Sequence, residues 1–243
     1  MADKRNVDLV ILAGGKGTRV EGITRDALSK VMLPVNGHPF LAYVIRLYAQ
    51  KGFRHVVLAT GHCAEGIQDY FGNGEAYGVE ISYSSEKESL GTGGALRLAL
   101  SLAQTDNVLV INGDTFFDVD AEAFLSQHIG SHDVVTVALM NQGGSSRFGV
   151  VRMDANNAIQ EFLEKSPSFG LVSGGVYVVD RGKMISIIDT QFRQRPLSLE
   201  NDVWPYLVSQ NAMRGMEFHG TFLDMGTPES YAAAAAALRD YDC

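Results

Sequence analysis

The regular part of the chain opens with Asp8-Leu9-Val10-Ile11-Leu12, which runs directly into Ala13-Gly14-Gly15-Lys16-Gly17-Thr18-Arg19. The first five residues form a short apolar run, which is typical of a parallel strand that is buried on both faces. The glycines that follow allow a tight turn. A buried strand that feeds a glycine loop therefore predicts an α/β fold.

Apolar runs and helical patterns alternate through the rest of the first half. Strands are predicted at 55–59, 79–83, 107–111 and 133–140, and helices at 40–50, 67–71 and 94–102. Strands that alternate with helices at this spacing predict a doubly wound, mostly parallel sheet.

The second half of the chain is predicted to contain more strands and fewer helices than the first. Strands are predicted at 148–153, 158–162 and 170–179 with few helices between them, which favours a partly antiparallel extension. A helix is predicted at 199–209, and a last helix begins at Thr227-Pro228-Glu229. We expect one domain over residues 1–243, with a nucleotide-binding part at about 1–115 and a sugar-binding part at about 116–243.

Composition narrows the class of function. The 243 residues are 46% hydrophobic with a formal net charge of −8, so a large core can form and no basic face for nucleic acid is visible. No apolar run reaches the length of a membrane span. Cys63 and Cys243 have no disulfide or metal-ligand spacing, and no signal-peptide core precedes the first strand. We therefore expect a cytoplasmic protein that neither binds nucleic acid nor inserts into a membrane.

The glycine loop is the first candidate site. Lys16 and Arg19 add positive charge beside the glycines, so residues 12–19 can cradle phosphate. The spacing does not fit a P-loop, which needs four residues between its first glycine and a Gly-Lys-Ser or Gly-Lys-Thr sequence. It does not fit the dinucleotide fingerprint either, because Gly14 and Gly17 lack the third glycine. The alternative of a glycine-rich surface turn is weakened by two cations so close to a buried strand.

Acidic residues supply a candidate metal site. Asn112-Gly113-Asp114 follows the predicted strand 107–111, at the edge where open α/β sheets bind ligands. Asp114 could hold Mg²⁺ together with phosphate oxygens, and Asp224 would complete the site if the fold brought it near. Taken alone, each carboxylate is equally well explained as a loop residue.

Other candidates are weaker when taken singly. Lys30 could reach back over the glycine loop, although a solvated surface lysine is the more common case. Small residues at 90–95 would let a base or a sugar lie against the backbone. Contacts to a sugar could come from Glu164, Lys165, Gly174, Gly175 and Glu200.

Together these motifs resemble the sugar-1-phosphate nucleotidylyltransferase family, in order, from Val7 to about Tyr231. The resemblance implies a Rossmann-like α/β/α sandwich with a mixed, mostly parallel central sheet, a small antiparallel extension, and the use of Mg²⁺. One departure is Ser29-Lys30-Val31, where the family commonly has Pro-Lys-Pro. The runs 90–95 and 198–202 are most similar to those of D-glycero-α-D-manno-heptose 1-phosphate guanylyltransferases.

The resemblance also implies residue roles. Catalysis would depend on Lys16, Arg19 and Lys30, and the metal on Asp114 and Asp224. The implied nucleotide-binding residues are Leu12, Ala13, Gly14, Gly15, Lys16, Gly17, Thr18, Arg19, Glu86, Gly91, Thr92, Gly93, Asn112 and Gly113. The implied sugar-binding residues are Asp114, Gly149, Glu164, Lys165, Gly174, Gly175 and Glu200.

The implied reaction transfers a nucleotidyl group from a nucleoside triphosphate, with GTP favoured, to a sugar 1-phosphate and releases pyrophosphate. Two alternatives stay open. Uridylyl or thymidylyl transfer to a hexose or N-acetyl-sugar 1-phosphate would use the same sheet and metal site. A non-catalytic nucleotide-sugar-binding regulator would not need the charged residues. The two substrates are the expected partners, and assembly into a homo-oligomer is also left open.

Overall fold

The computed structural model describes residues 7–15, 29–61, 64–86, 88–142, 150–163, 170–192 and 196–241. Its strands are β1 (Asp8–Leu12), β2 (Pro34–Val35), β3 (His38–Pro39), β4 (His55–Thr60), β5 (Glu80–Ser85), β6 (Asn107–Asn112), β7 (Thr115–Phe117), β8 (Val135–Gln142), β9 (Val150–Met153), β10 (Ile159–Leu163), β11 (Gly170–Asp180), β12 (Met213–Glu217) and β13 (Phe222–Asp224). Its α-helices are α1 (Phe40–Gln50), α2 (Ala64–Phe71), α3 (Gly91–Leu100), α4 (Ala121–Ser131), α5 (Arg181–Gln191), α6 (Trp204–Ser209) and α7 (Pro228–Ala237). Short 3₁₀ turns cover Lys30–Met32 and Glu75–Tyr77, and a π-helical turn covers Leu199–Val203.

A mixed sheet runs through the middle of the described chain. Strands β5, β4, β1 and β6 lie side by side in parallel, and β11 then joins β6 in the antiparallel direction. The long strand β11 carries β8 along its other edge, and β12 lies parallel to β8. The antiparallel pair β9 and β10 extends the sheet from the first half of β11. The predicted mixed sheet with its antiparallel extension is confirmed.

Helices cover both faces of this sheet because successive side chains of a strand point to opposite faces. In β1, Leu9 and Ile11 are fully buried in a core shared with α1, α2, α4 and α7. Val10 is fully buried in the opposite core, shared with α3, α5 and α6. The predicted α/β/α sandwich is therefore confirmed.

Some element boundaries differ from the sequence prediction. Helix α3 starts at Gly91, which has a φ of +74° that the apolar pattern does not reveal. The helix predicted over 199–209 is divided into the π-helical turn and α6, which starts at Trp204. Pro205 follows at once and lacks an N–H, so it fits the first turn of a new helix better than the interior of a longer one.

The last described helix is anchored to a hairpin near the start of the chain. Thr227 caps the N-terminus of α7, as its sequence predicts. The Tyr231 hydroxyl donates to the Pro34 carbonyl at 2.8 Å, and the Asn36 amide donates to the Ala235 carbonyl at 3.0 Å. Helix α7 therefore holds the β2–β3 hairpin, which directly follows the 3₁₀ turn Lys30–Met32.

Two expectations concern the chain as a whole. Among the helices in the described ranges, none combines the length and the hydrophobicity needed to cross a bilayer. The division into a nucleotide-binding part and a sugar-binding part stays a prediction, as does a homo-oligomer.

Candidate functional site

A cavity of about 380 Å³ opens at the carboxyl ends of β1, β4 and β6. This is the edge where open α/β sheets bind ligands. Its lining residues are Leu12, Gly14, Gly15, Lys30, Val31, Ala59, Gly61, Glu86, Glu88, Ser89, Gly91, Thr92, Ala95, Asn112, Asp114 and Glu200. The fold therefore gathers in one cavity residues from motifs that are widely separated in the sequence.

Glycines let the loops after neighbouring strands touch backbone to backbone. A Cβ on Gly14 would lie 2.8 Å from the nitrogen of Gly61, and a Cβ on Gly61 would lie 2.7 Å from the oxygen of Gly14. A Cβ on Gly113 would lie 2.9 Å from the oxygen of Leu12. A side chain at any of these positions would force the loops apart, so the close approach depends on glycine.

Lys30 contributes a partly buried cation to the cavity. Its Nζ lies 2.6 Å from Oδ2 of Asp114, and the two side chains are 13% and 34% exposed. Ser29, just before the 3₁₀ turn, donates its hydroxyl to the Ala13 carbonyl at 3.4 Å. The turn is therefore tied to the glycine loop, and the alternative of a solvated surface lysine does not hold.

Asp224 comes from the far end of the chain to the loop that carries Asp114. Strand β13 pairs with β7 so that Asp224 lies opposite Thr115, and the Met225 amide donates to the Asp114 carbonyl at 2.9 Å. Oδ1 of Asp224 accepts a hydrogen bond from the Gly226 amide at 2.9 Å. The backbones that carry the two predicted metal carboxylates are therefore neighbours.

The protein ligands available to a cation at this point are few. In the described ranges, no group of three or more His, Cys, Asp or Glu side chains is arranged to hold a metal. A cation bound here would depend on Asp114, on Asp224 and on oxygens of the substrates. That ligand set is typical of Mg²⁺, which commonly uses one or two carboxylates together with phosphate oxygens and water.

Glu86 lines the end of the cavity beside the glycine loop. Its Oε2 accepts a hydrogen bond from the Leu90 amide at 2.6 Å, and its Oε1 lies 3.3 Å from the position that a Cβ on Gly14 would take. A carboxylate has several acceptor sites, so one backbone donor leaves Glu86 able to accept from a ligand as well. Glu88 and Ser89 line the adjoining wall.

Asn112, at the end of β6, is supported by a buried tyrosine. The Tyr177 hydroxyl lies 3.3 Å from the Ser173 hydroxyl, and the Asn112 side chain is close enough to influence its pKa. Burial raises the pKa of Tyr177 above its ordinary value, and the negative charge of Glu200 raises this pKa further. Tyr177 is therefore a neutral hydroxyl beside Asn112.

Gly174 and Gly175 pack β11 closely against its neighbours. A Cβ on Gly174 would lie 2.4 Å from the Phe117 ring. Gly175 has a φ of +69°, and its Cβ would lie 3.0 Å from the Thr115 hydroxyl and 3.2 Å from the Asn112 amide nitrogen. These contacts give both glycines a packing role beneath the cavity, and their predicted contact with a sugar stays a prediction.

Glu200 lines the cavity from the π-helical turn. Its Oε2 accepts hydrogen bonds from the Thr92 hydroxyl at 3.0 Å and from the Ser198 hydroxyl at 3.2 Å. Gly93, one residue further along α3, donates its amide to the Leu197 carbonyl at 2.8 Å. The segment that carries Glu200 is therefore fastened to the first turn of α3.

The described part of the cavity wall carries more negative than positive charge. Glu86, Glu88, Asp114 and Glu200 face one described cation, Lys30. Several predicted site residues lie outside the described residues, namely Lys16, Gly17, Thr18, Arg19, Gly149, Glu164 and Lys165. Their roles stay predictions, and a polyanionic ligand would need positive charge from them or from a metal ion.

The sequence patterns missed several lining residues. Val31 and Ala59 are apolar residues without a chemical signature, and Gly61, Glu88 and Ser89 were also not singled out. A signal for Gly61 was present, because it follows the apolar run of β4 as Gly14 follows that of β1. The carboxyl ends of adjacent parallel strands meet at one edge, so both glycines could have been assigned to it.

Comparisons with known proteins indicate the same family as the sequence motifs. The family model described as "Nucleotidyl transferase" matches residues 9–241. The chain is 34% identical over 236 residues to the D-glycero-alpha-D-manno-heptose 1-phosphate guanylyltransferase of Aneurinibacillus thermoaerophilus, which covers 97% of this chain and 100% of that protein. It is also 34% identical over 236 residues to the mannose-1-phosphate guanylyltransferase of Mycobacterium tuberculosis, which covers 96% of this chain but 64% of that protein.

Solved structures share the fold. The crystal structure of HddC from Yersinia pseudotuberculosis complexed with GMP-PN superposes with a TM-score of 0.82 at 25% sequence identity. The match covers 95% of this chain and 98% of the other. The similarity therefore extends over nearly the whole of both chains.

Proposed function

The chain belongs to the nucleotidyl transferase family, and on this premise we propose that it transfers a guanylyl group from GTP to D-glycero-α-D-manno-heptose 1-phosphate. The observation that carries the proposal is that one cavity is lined by the Lys30–Asp114 pair together with Glu86 and Glu200. The glycine loop would take the triphosphate, Glu86 the base, and the wall at Asp114 and Glu200 the sugar.

The reaction needs positioning and charge neutralisation more than it needs a base. A sugar phosphate is already an ionised nucleophile at neutral pH. One of its oxygens attacks the α-phosphorus of GTP, the bond from that phosphorus to the bridging oxygen breaks, and pyrophosphate leaves with the electron pair. Lys16 and Arg19 would stabilise the leaving group, while Lys30 and Lys165 would steady the attacking phosphate.

Asp114 and Asp224 are the residues that would hold a divalent cation, and we assign it as Mg²⁺. The residues fit such an ion, since two carboxylates from neighbouring backbones offer hard oxygen ligands and the substrates offer phosphate oxygens. When bound, the ion would draw the two phosphates together and neutralise charge. Lys30 donates to one Asp114 oxygen at 2.6 Å, and its ammonium group is the described cation that would steady the attacking phosphate.

Glu86 favours guanine among the common bases. Guanine presents two adjacent donors, the ring N1–H and the 2-amino group, to which a carboxylate can accept in parallel. Uracil and thymine present one ring N–H between two carbonyl oxygens, which would repel a carboxylate. Glu86→Gln is therefore expected to raise KM for GTP by about tenfold or more, because a charged acceptor is replaced by a neutral one that is both donor and acceptor.

The proposal is tested by a panel of substrates with pyrophosphate release as the readout. GTP, ATP, UTP and dTTP would each be combined with D-glycero-α-D-manno-heptose, mannose and glucose 1-phosphates. We expect the highest kcat/KM for GTP with the heptose phosphate and loss of most turnover in Asp114→Ala and Asp224→Ala. Faster reaction with UTP or dTTP would refute the guanylyl assignment, and faster reaction with mannose 1-phosphate would refute the heptose assignment.

A further inference from the structure

The chain around Glu200 is docked on the start of α3 by a set of backbone contacts. The Gly93 amide donates to the Leu197 carbonyl, and the Leu197 amide donates to the Leu90 carbonyl, each at 2.8 Å. Gly91 has a φ of +74°, and a Cβ there would lie 2.4 Å from the Leu197 oxygen. This junction joins parts of the chain about one hundred residues apart and leaves no room for a side chain at Gly91.

Hydroxyl groups at the junction are oriented toward Glu200. The Thr92 hydroxyl accepts from the Leu199 amide at 2.8 Å, so its own proton is free to donate to Oε2 of Glu200 at 3.0 Å. The Ser198 hydroxyl accepts from the Asn201 amide at 3.1 Å and donates to the same oxygen at 3.2 Å. Two hydroxyls, each supplied with a backbone donor, therefore converge on one carboxylate oxygen.

This arrangement leaves the other carboxylate oxygen for a ligand. Among the described residues, Oε1 of Glu200 has no hydrogen-bond partner, and Glu200 lines the cavity. An ionised carboxylate accepts hydrogen bonds and cannot donate them. The ligand group that it would bind must therefore carry donors, as hydroxyl groups of a sugar or of a ribose do.

We infer that Thr92 and Ser198 are positioning residues that fix Glu200 to accept hydrogen bonds from hydroxyls of the sugar 1-phosphate, an inference that rests on the proposed function. The sugar is favoured over the ribose because Trp204, just after the turn that carries Glu200, packs its ring 5.1 Å from the ring of Tyr177. Tyr177 lies on β11, the strand of Gly174 and Gly175, which the sequence predicts to contact the sugar. Glu86 lies instead beside Gly14, at the glycine loop. Thr92, expected from the sequence to bind the nucleotide, acts here through Glu200 on the sugar.

The test separates KM for the sugar phosphate from KM for GTP. Glu200→Gln is expected to raise KM for the sugar phosphate by about tenfold to a hundredfold and to leave KM for GTP within about twofold. Thr92→Val, which removes the hydroxyl at nearly constant shape, is expected to raise the same KM by about three- to tenfold. Thr92→Ser keeps the hydroxyl and should restore the wild-type value.

Controls distinguish positioning from a general loss of structure. Thr190→Val is the control. It removes a hydroxyl that donates to the Ser186 carbonyl within α5, where neither residue lines the cavity, and it should change neither KM. Thermal unfolding of each variant shows whether it is folded. If Glu200→Gln or Thr92→Val raises KM for GTP and leaves that of the sugar phosphate unchanged, Glu200 binds the ribose and the inference is overturned.

A wrong proposed function can be distinguished from a wrong role for Thr92 and Ser198. If the proposed function is wrong, the wild-type protein turns over no sugar phosphate, and calorimetric titration with the heptose and mannose 1-phosphates replaces kinetics. Weaker binding of either sugar phosphate to Thr92→Val than to Thr92→Ser would still support the inference. Equal binding to the two variants would overturn it.

Discussion

His128 makes the stability of the fold sensitive to mild acid. It lies on α4, is 2% exposed, and pairs its Nδ1 with the Thr136 hydroxyl at 2.8 Å. Burial lowers the pKa of His128 from an ordinary 6.5 to about 4, against the opposing charges of Asp180 and Asp133. The folded protein therefore holds a neutral imidazole at a pH where the unfolded chain would bind a proton.

The size of the effect follows from the two pKa values. Each unit of difference corresponds to about 1.4 kcal/mol, so a pKa of about 4 against 6.5 corresponds to about 3 kcal/mol in full. The folded pKa is the lower one, so the stabilisation is complete above pH 6.5 and is lost as the pH falls toward 4. At pH 5 the expected loss from this residue is about 2 kcal/mol.

Urea unfolding at pH 7 and at pH 5 measures this loss. Carboxylates also titrate in acid, so the informative quantity is the difference between wild type and His128→Asn, in which the amide can still bond to Thr136. The variant is expected to be less stable at pH 7 but to lose about 2 kcal/mol less between the two pH values. His219, whose side chain is 81% exposed, provides the matched control, and His219→Asn should follow wild type.

A buried neutral imidazole at His128 is excluded if His128→Asn and wild type lose the same free energy of unfolding between pH 7 and pH 5. The same conclusion follows if His219→Asn reproduces the effect of His128→Asn, because the loss of stability would then not depend on burial. Titration of the His128 ring by NMR offers an independent check, with a midpoint well below 6 expected.

Three further predictions concern the site. Lys30→Met should lower kcat by about 10²–10³, because a preorganised positive charge is lost. It should also tighten Mn²⁺ binding, measured by electron paramagnetic resonance, because the cation that competes for Asp114 is removed; unchanged Mn²⁺ affinity would contradict this. Gly14→Ala should weaken GTP binding in calorimetry, since its Cβ would lie 2.8 Å from the nitrogen of Gly61; wild-type affinity would contradict the close packing. Tyr231→Phe should lower the free energy of unfolding by about 1 kcal/mol through loss of its bond to Pro34, and no change in urea unfolding would contradict this.

The fold was predictable where local pattern and final environment agree. Strands β1, β4 and β6 are continuous apolar runs, and each is buried at the centre of the sheet. Strand β12 was not predicted, because Met213–Glu217 contains a glycine and two charged residues and becomes a strand through its pairing with β8. That pairing is tertiary, so no local propensity reveals it.

The candidate site was predictable as a set of residues and not as a set of contacts. The rule that ligands bind at the carboxyl ends of strands identified Gly14, Asn112 and Asp114. The side-chain pairs within the site were not predictable. Lys30 and Asp114 are 84 residues apart, and Thr92 and Glu200 are 108 residues apart. Such pairs depend on the whole topology and have no signature in either segment alone.

The anchoring of α7 to the β2–β3 hairpin has a consequence for synthesis on the ribosome. The hydrogen bonds from Tyr231 and Asn36 join residues 197 and 199 positions apart, and β13 brings Asp224 beside the loop of Asp114 through its pairing with β7. A nascent chain therefore exposes an unfinished ligand-binding edge until residue 237 or so has left the exit tunnel. Premature termination before that point would yield a product with most of its sheet and no complete site.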